Sequence, residues 1–168
     1  QRAGQRALKA GANMKHTIQM VRDFRADNDT TPIILMGYAN PLYAYGLEAF
    51  VKDIKDAGVD GLIIVDLPPE EDGELRQYSD AAGVDMIRLI TPTTDESRLN
   101  VVLDGASGFL YYVSIAGVTG TKKADVNALN PHLDLIKSKT DLPIAIGFGI
   151  KTPNDAQEMS TLGDAVVV

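Results

Sequence analysis

The sequence contains no cysteine, which removes disulfides, thiolate metal sites and thiol nucleophiles at one stroke. Histidine is almost as scarce: His16 and His132 are the only two, far apart in the chain, so no histidine-based metal centre is expected. Basic charge is in deficit. Lys and Arg number 16 against 23 Asp and Glu, giving a net charge of -7 and a pI of about 4.7. A protein that grips a phosphate backbone carries a basic face, so nucleic acid is not an expected partner. No apolar run in these residues is long enough to cross a bilayer and none has a secretory-signal pattern, so no membrane association and a cytoplasmic location are expected.

What is present has an ordinary globular balance, 45% apolar and 23% charged over 168 residues. That is enough for one domain with a real core and too apolar for low-complexity disorder. Six short apolar runs read as strands: Pro32–Tyr38, Gly61–Asp66, Asp85–Ile90, Phe109–Ser114, Pro143–Gly147 and Asp164–Val168. Most are apolar on consecutive residues, which fits strands of a parallel sheet buried on both faces. Helix-period segments separate them. Leu47, Phe50, Val51 and Ile54 make one stripe, closed by Gly58 as a left-handed C-terminal glycine. Met14, Ile18, Val21 and Phe24 or Arg25 mark an earlier helix. Thr93 with Glu96 has capping-box spacing before Leu99, while Asn130–Pro131 and Thr152–Pro153 each offer an N-cap followed by proline. The tetrapeptide AGVD recurs at Ala57–Asp60 and Ala82–Asp85, about 25 residues apart, close to one βα unit.

The class is therefore α/β in a single domain, residues 1–168, with a parallel sheet. Two architectures compete, a doubly wound sheet and a TIM (β/α)8 barrel. The chain opens in a helix-like segment, Gln1–Ala10, and closes on a strand run at Val168. The expectation is a barrel with about six of its eight strands here, two βα units ahead of Gln1 and one helix after Val168.

In parallel α/β folds ligands gather where strands end. The run Phe109–Ser114 opens into a loop carrying Gly117, Thr119 and Gly120, and the next strand ends in Gly147-Phe148-Gly149 ahead of a helix start at Thr152–Pro153. Glycines let backbone N–H groups approach an anion, and a helix N-terminus adds its dipole, so the two loops suit a phosphate. Ordinary tight turns are the competing reading.

Four segments in this order, LMGYANP (Leu35–Pro41), GLIIVDLPPEE (Gly61–Glu71), YYVSIAGVTGT (Tyr111–Thr121) and AIGFGIKTP (Ala145–Pro153), resemble the tryptophan synthase alpha chain family. The resemblance implies a (β/α)8 barrel that cleaves indole-3-glycerol phosphate to indole and glyceraldehyde 3-phosphate by a retro-aldol reaction. It implies no metal or organic cofactor in this subunit, and an αββα assembly with a beta subunit that carries pyridoxal phosphate. By the same resemblance, Tyr38, Tyr111 and Phe148 line the indole and glycerol pocket, Ile63, Val65 and Leu89 occupy apolar pocket positions, Gly120 and Gly149 donate N–H groups to the phosphate, and Thr119 sits in a closing loop. For the aromatics, plain core packing is the alternative.

The family's catalytic glutamate and aspartate match nothing in this sequence, and by the resemblance they would precede Gln1. Asp66, a carboxylate at a strand end, is the residue a motif search would select as acid or base; the expectation here is that it organises Leu67-Pro68-Pro69 through side-chain to backbone bonds. Glu70 and Glu71 are expected to form a solvated first helical turn, and Lys122, Lys123 and Asp125 a charged loop or lid. Loops Asn40–Tyr43 and Leu67–Glu70 are expected to present apolar surface, Leu42 and Tyr43 included, to the beta subunit. Two other readings stand beside this one: another phosphate-binding barrel enzyme of the indole-3-glycerol phosphate synthase or phosphoribosylanthranilate isomerase kind, and a non-catalytic module that regulates a partner.

Overall fold

Each of the six apolar runs forms strand. The structure, a computed structural model, describes residues 2–114, 126–147 and 149–168. The strands are β1 (Ile34–Gly37), β2 (Gly61–Ile64), β3 (Asp85–Met86), β4 (Arg88–Ile90), β5 (Leu110–Val113), β6 (Ile144–Gly147) and β7 (Ala165–Val166). The run Asp85–Ile90 is thus divided at Ile87 into two short strands. The helices are α1 (Arg2–Lys9), α2 (Met14–Arg25), α3 (Ala39–Tyr45), α4 (Leu47–Ala57), α5 (Gly73–Ala82), α6 (Glu96–Leu103), α7 (Val126–Lys137) and α8 (Pro153–Met159). Contacts group the chain into two units, Gln1–Leu67 with Asp72–Val84, and Pro68–Glu71 with Asp85–Val168.

In the first unit β1 pairs in parallel with β2, from Ile34 opposite Gly61 to Gly37 opposite Ile64. The stripe on α4 is buried as its period requires: Leu47, Phe50, Val51, Ile54 and Ala57 all lie inside. Burial of each large apolar side chain stabilises by roughly 1.5–3 kcal/mol, an upper figure because the unfolded chain is already partly collapsed. Helix α2 contributes Ile18 and Val21, and α1 buries nothing. In the second unit β4, β5, β6 and β7 form a parallel sheet in that order. Leu99 and Val102 of α6 and Leu133 and Ile136 of α7 join Ile90, Leu110, Tyr112, Ile144 and Ile146 in its core.

Burial on both faces holds for β2 and β6 but not for β4 and β5, where buried and half-buried residues alternate. The half-buried members, Leu89, Tyr111 and Val113, share the face away from the helices.

Carboxylates clasp the starts of neighbouring strands. Asp60, just ahead of β2, accepts the Ile33 N–H at 2.7 Å and returns its own N–H to the Ile33 carbonyl at 2.9 Å. Asp164, just ahead of β7, does the same with Ile144, at 2.8 and 2.9 Å. Cations link pairs of helix ends in similar fashion. Arg25 at the end of α2 donates to the carbonyl of Gly58, the left-handed cap of α4, at 2.8 Å. Lys55 of α4 donates to the carbonyl of Gly83, the cap of α5, and Lys137 of α7 to Leu162 beyond α8. Arg25 also bonds the Asn28 and Thr31 carbonyls and pairs with Asp60 at 2.6 Å.

Three local expectations are corrected. Helix α6 is capped by Asp95, whose carboxylate accepts the Arg98 N–H at 2.8 Å, and not by Thr93. Thr93 instead shares its hydroxyl with Thr91 inside the preceding turn. Helix α7 begins at Val126, so Pro131 lies within it and Asn130 is no cap. Asn40–Tyr43 is helix rather than loop: Pro41 falls in the first turn of α3, where backbone N–H groups have no intrahelical partner to lose. The Thr152 cap of α8 is as expected.

Asp60→Ala and Asp164→Ala each remove the acceptor of a strand-end N–H. Both carboxylates touch solvent, so each should cost only about 1–2 kcal/mol, read as a lower urea midpoint at unchanged slope.

Candidate functional site

The two strands of the first unit carry one apolar face each way. Leu62 and Ile64 turn toward the helices, where with Leu42 and Phe50 they border a cavity of about 140 Å³. Ile63 and Val65 therefore point to the opposite side. Ile63 stands in register with Met36, and Tyr38 follows two residues on from Met36. Ile63 is buried, while Met36 and Tyr38 are each 61% exposed and Val65 is 41% exposed. Four apolar or aromatic side chains thus share a largely open sheet face. Met36 was not anticipated as a site residue, although its period-2 relation to Tyr38 carried the signal.

Asp66 is occupied. Its Oδ1 accepts the Ala39 N–H at 2.7 Å, capping α3 from the neighbouring strand. Tyr38, at the N-cap position, supplies no side-chain bond of its own. The carboxylate organises backbone as expected, but its partner is the start of α3 rather than Leu67-Pro68-Pro69.

In the second unit the register places Leu89, Tyr111 and Ala145 side by side across β4, β5 and β6. Tyr111 is half-buried, and desolvation raises its phenol pKa above the usual value. Its ring lies over Gly147: a Cβ built there would stand 2.7 Å from Tyr111 Cζ and closer still to the hydroxyl. A methyl group at the first glycine of GFG would therefore require the end of the Tyr111 side chain to move. Ser114, at the end of β5, holds the Gly147 carbonyl with its Oγ at 2.8 Å and its N–H at 3.0 Å. Gly149 is exposed and has φ +83°, a conformation that favours glycine.

The start of α8 is less open to an anion than the sequence suggested. Asp155 N–H bonds to Thr152 Oγ1, and the Asp155 carboxylate accepts the N–H groups of Thr152 and Lys151 at 3.0 and 3.3 Å. Those donors are committed, so an anion here would depend on the N–H groups of the glycine loops. Thr119, Gly120 and Phe148 lie outside the described residues, as do Lys122, Lys123 and Asp125. Among the described residues no cluster of His, Asp or Glu could hold a metal ion, and no helix is long and apolar enough to cross a membrane.

The arrangement suits a ligand with an apolar aromatic body. Each unit offers half-open apolar and aromatic side chains at strand ends, and the second adds a glycine-rich exit from β6. Gly147→Ala should displace the Tyr111 ring and destabilise by about 1–3 kcal/mol, the usual cost of overpacking. Adding Tyr111→Phe, which removes the atom nearest the new methyl group, should restore part of the loss in a thermal melt. Equal stability of Gly147→Ala and the unsubstituted protein would contradict the placement of Tyr111.

The family model described as tryptophan synthase alpha chain matches residues 1–168. A tryptophan synthase alpha chain from Phenylobacterium zucineum (strain HLK1) is 56% identical over 168 residues, which is 100% of this chain and 61% of that protein. Among solved structures, the alpha subunit from Legionella pneumophila strain Paris superposes with a TM-score of 0.88 at 39% identity, covering 99% of this chain and 61% of that one. A tryptophan synthase complex from Pyrococcus furiosus gives 0.81 at 31% identity, covering 98% and 65%. The chain spans about three fifths of the length of these relatives. The likenesses show the fold class, α/β of the TIM (β/α)8-barrel type.

Proposed function

Because the chain belongs to the tryptophan synthase alpha chain family, we propose that the full-length protein containing it is the alpha subunit of tryptophan synthase, a carbon–carbon lyase that splits indole-3-glycerol phosphate into indole and glyceraldehyde 3-phosphate. The observation that carries this is 56% identity to a tryptophan synthase alpha chain along the whole of this chain. The geometry agrees with the substrate. Indole is flat and apolar; the open face bearing Met36, Tyr38, Ile63 and Val65 suits it by itself, as does that of Leu89 with Tyr111, and Phe148 is assigned to indole by family resemblance alone. The phosphate is assigned to the backbone N–H groups of Gly120 and Gly149, with Thr119 in the loop that covers it.

The retro-aldol step needs a proton delivered to the indole ring and protons removed from its N–H and from the glycerol hydroxyl. We assign those transfers to a glutamate and an aspartate outside these 168 residues, and to Asp66 only the capping of α3. No organic cofactor or metal is required by this chemistry, in which the carbonyl that leaves and the ring that is protonated are both parts of the substrate. These residues on their own should release indole far more slowly than the full-length subunit, since each missing acid–base group contributes about 10²–10⁴-fold.

The test is the full-length subunit with Gly149→Asp, using Gly149→Ala as control. Both variants strain a positive-φ position, but only Asp sets a carboxylate against the phosphate. Binding of a glycerol phosphate analogue should fall much further for Asp than for Ala. Equal losses would assign the effect to backbone strain and remove the phosphate from Gly149.

A beta subunit that carries pyridoxal phosphate is the proposed partner, in an αββα assembly, with cytoplasmic residence. Leu42 has no part in docking, because it is buried at 3% exposure inside the first unit; Tyr43 is 48% exposed and remains available. Glu70 is exposed in a helical turn, as expected, and has a partner there. It lies in the 3-10 turn Pro69–Glu71 and pairs with Arg98 of α6, whose hydrogen bond holds its carboxyl below the ordinary range. Tyr43→Asp with Pro68→Gly should weaken association in a titration against the beta subunit while leaving the melting temperature nearly unchanged. Full-strength association would place the interface elsewhere.

A further inference from the structure

A buried polar chain in the second unit takes no part in the site just described. Tyr112 is fully buried on β5, flanked in register by Ile90 and Ile146. Its hydroxyl lies 2.9 Å from Nδ1 of His132 on α7, and Nε2 of the same ring lies 2.8 Å from the carbonyl oxygen of Thr94. The two rings are tilted at 52°, with centroids 5.6 Å apart. A hydroxyl among apolar neighbours is costly unless bonded, and phenylalanine would fill the same space without that demand.

The donors can be assigned. A carbonyl oxygen only accepts, so His132 Nε2 carries a proton. In the neutral ring Nδ1 is then a lone pair, and the Tyr112 hydroxyl donates to it. Each group has one role, and the chain runs in one direction from strand to helix to loop. Thr94 belongs to the turn that leaves β4, closed by Thr94 N–H to the Thr91 carbonyl at 3.0 Å and Thr91 N–H to Thr94 Oγ1 at 3.2 Å. The chain therefore ties the exit of β4 to β5, beside the register pair of Leu89 and Tyr111.

We propose that Tyr112 and His132 are positioning residues for Tyr111, locking β5 at the rotation that presents the Tyr111 ring to substrate; this rests on the functional reading above. Tyr111 and Tyr112 are consecutive and point to opposite faces of one strand. Any rotation of β5 that releases one swings the other. The Tyr111 ring packs over Gly147, so its place above β6 follows the rotation of β5. The hydroxyl of Tyr112 thus reaches substrate only through the backbone it shares with Tyr111.

The experiment uses the full-length subunit and Tyr112→Phe, which removes one oxygen and keeps the ring. KM for indole-3-glycerol phosphate should rise about 5-fold with kcat nearly unchanged, the pattern of lost binding rather than lost chemistry. In a Tyr111→Ala background the same substitution should leave KM where Tyr111→Ala alone puts it. A lower melting temperature with unchanged KM would reduce the chain to a stabilising contact and overturn the proposal, as would an equal rise in both backgrounds. Imidazole nitrogen NMR of the unsubstituted subunit at about pH 8, where histidine is mostly neutral, should show the Nε2–H tautomer at His132. The Nδ1–H tautomer would contradict the chain itself. An unsubstituted subunit that shows this tautomer yet does not cleave the substrate would instead refute the functional reading.

Discussion

Register at the strand starts is the constraint from which the rest follows. Parallel strands exchange evenly spaced, slanted bonds, and a slip of one residue turns every side chain to the other face. The reciprocal bonds of Asp60 with Ile33 and Asp164 with Ile144 fix two of these registers where the strands begin. Three residues further along, the consequence is chemical. Met36 falls opposite Ile63, so Tyr38 and Val65 emerge on that same open face, and Leu62 and Ile64 go to the helices. A side chain at one end of the sheet thereby decides which side chains the open face carries at the other.

Crowding then converts register into position. Gly147 exists in the space it leaves for Tyr111, and Ser114 fastens the Gly147 carbonyl from the end of β5. Asp66 spends its carboxylate on the first N–H of α3, and Asp155 closes the first turn of α8. Both carboxylates sit at strand or helix ends where acid–base chemistry is usual, and both are engaged in holding backbone.

Much of this was legible in the sequence, for physical reasons that differ by element. The strands are short, mostly apolar runs bounded by polar residues, so all six were visible, and the α4 stripe and Gly58 were visible because 3.6-residue periodicity and left-handed caps are local properties. Errors arose where a local signal had two solutions. Thr93 and Asp95 can both cap α6, and only the turn that occupies Thr93 decides between them. Proline marks a helix start in Thr152–Pro153 but lies inside α7 at Pro131. Leu42 looked like exposed surface because Pro41 suggested a loop, whereas in a helix its face turns inward. The proposed binding residues were read chiefly through family resemblance, which pointed to Tyr38 and Tyr111 and passed over Met36. His132 could not be read at all: its partners are 20 and 38 residues away, and no spacing rule reaches so far.

The cations at the helix ends carry a consequence for how the molecule comes apart. Arg25, Lys55 and Lys137 each sit near the end of one helix and satisfy a carbonyl at the end of the next in its series. Three helix ends are thus tied to an earlier helix, much as neighbours are in a stack of repeats. Fraying at the end of α2 takes the Arg25 donor from the Gly58 carbonyl, and fraying at the end of α4 takes Lys55 from that of Gly83. Each of these bonds is lost when either of the two ends it joins frays, so the ends within a pair are coupled.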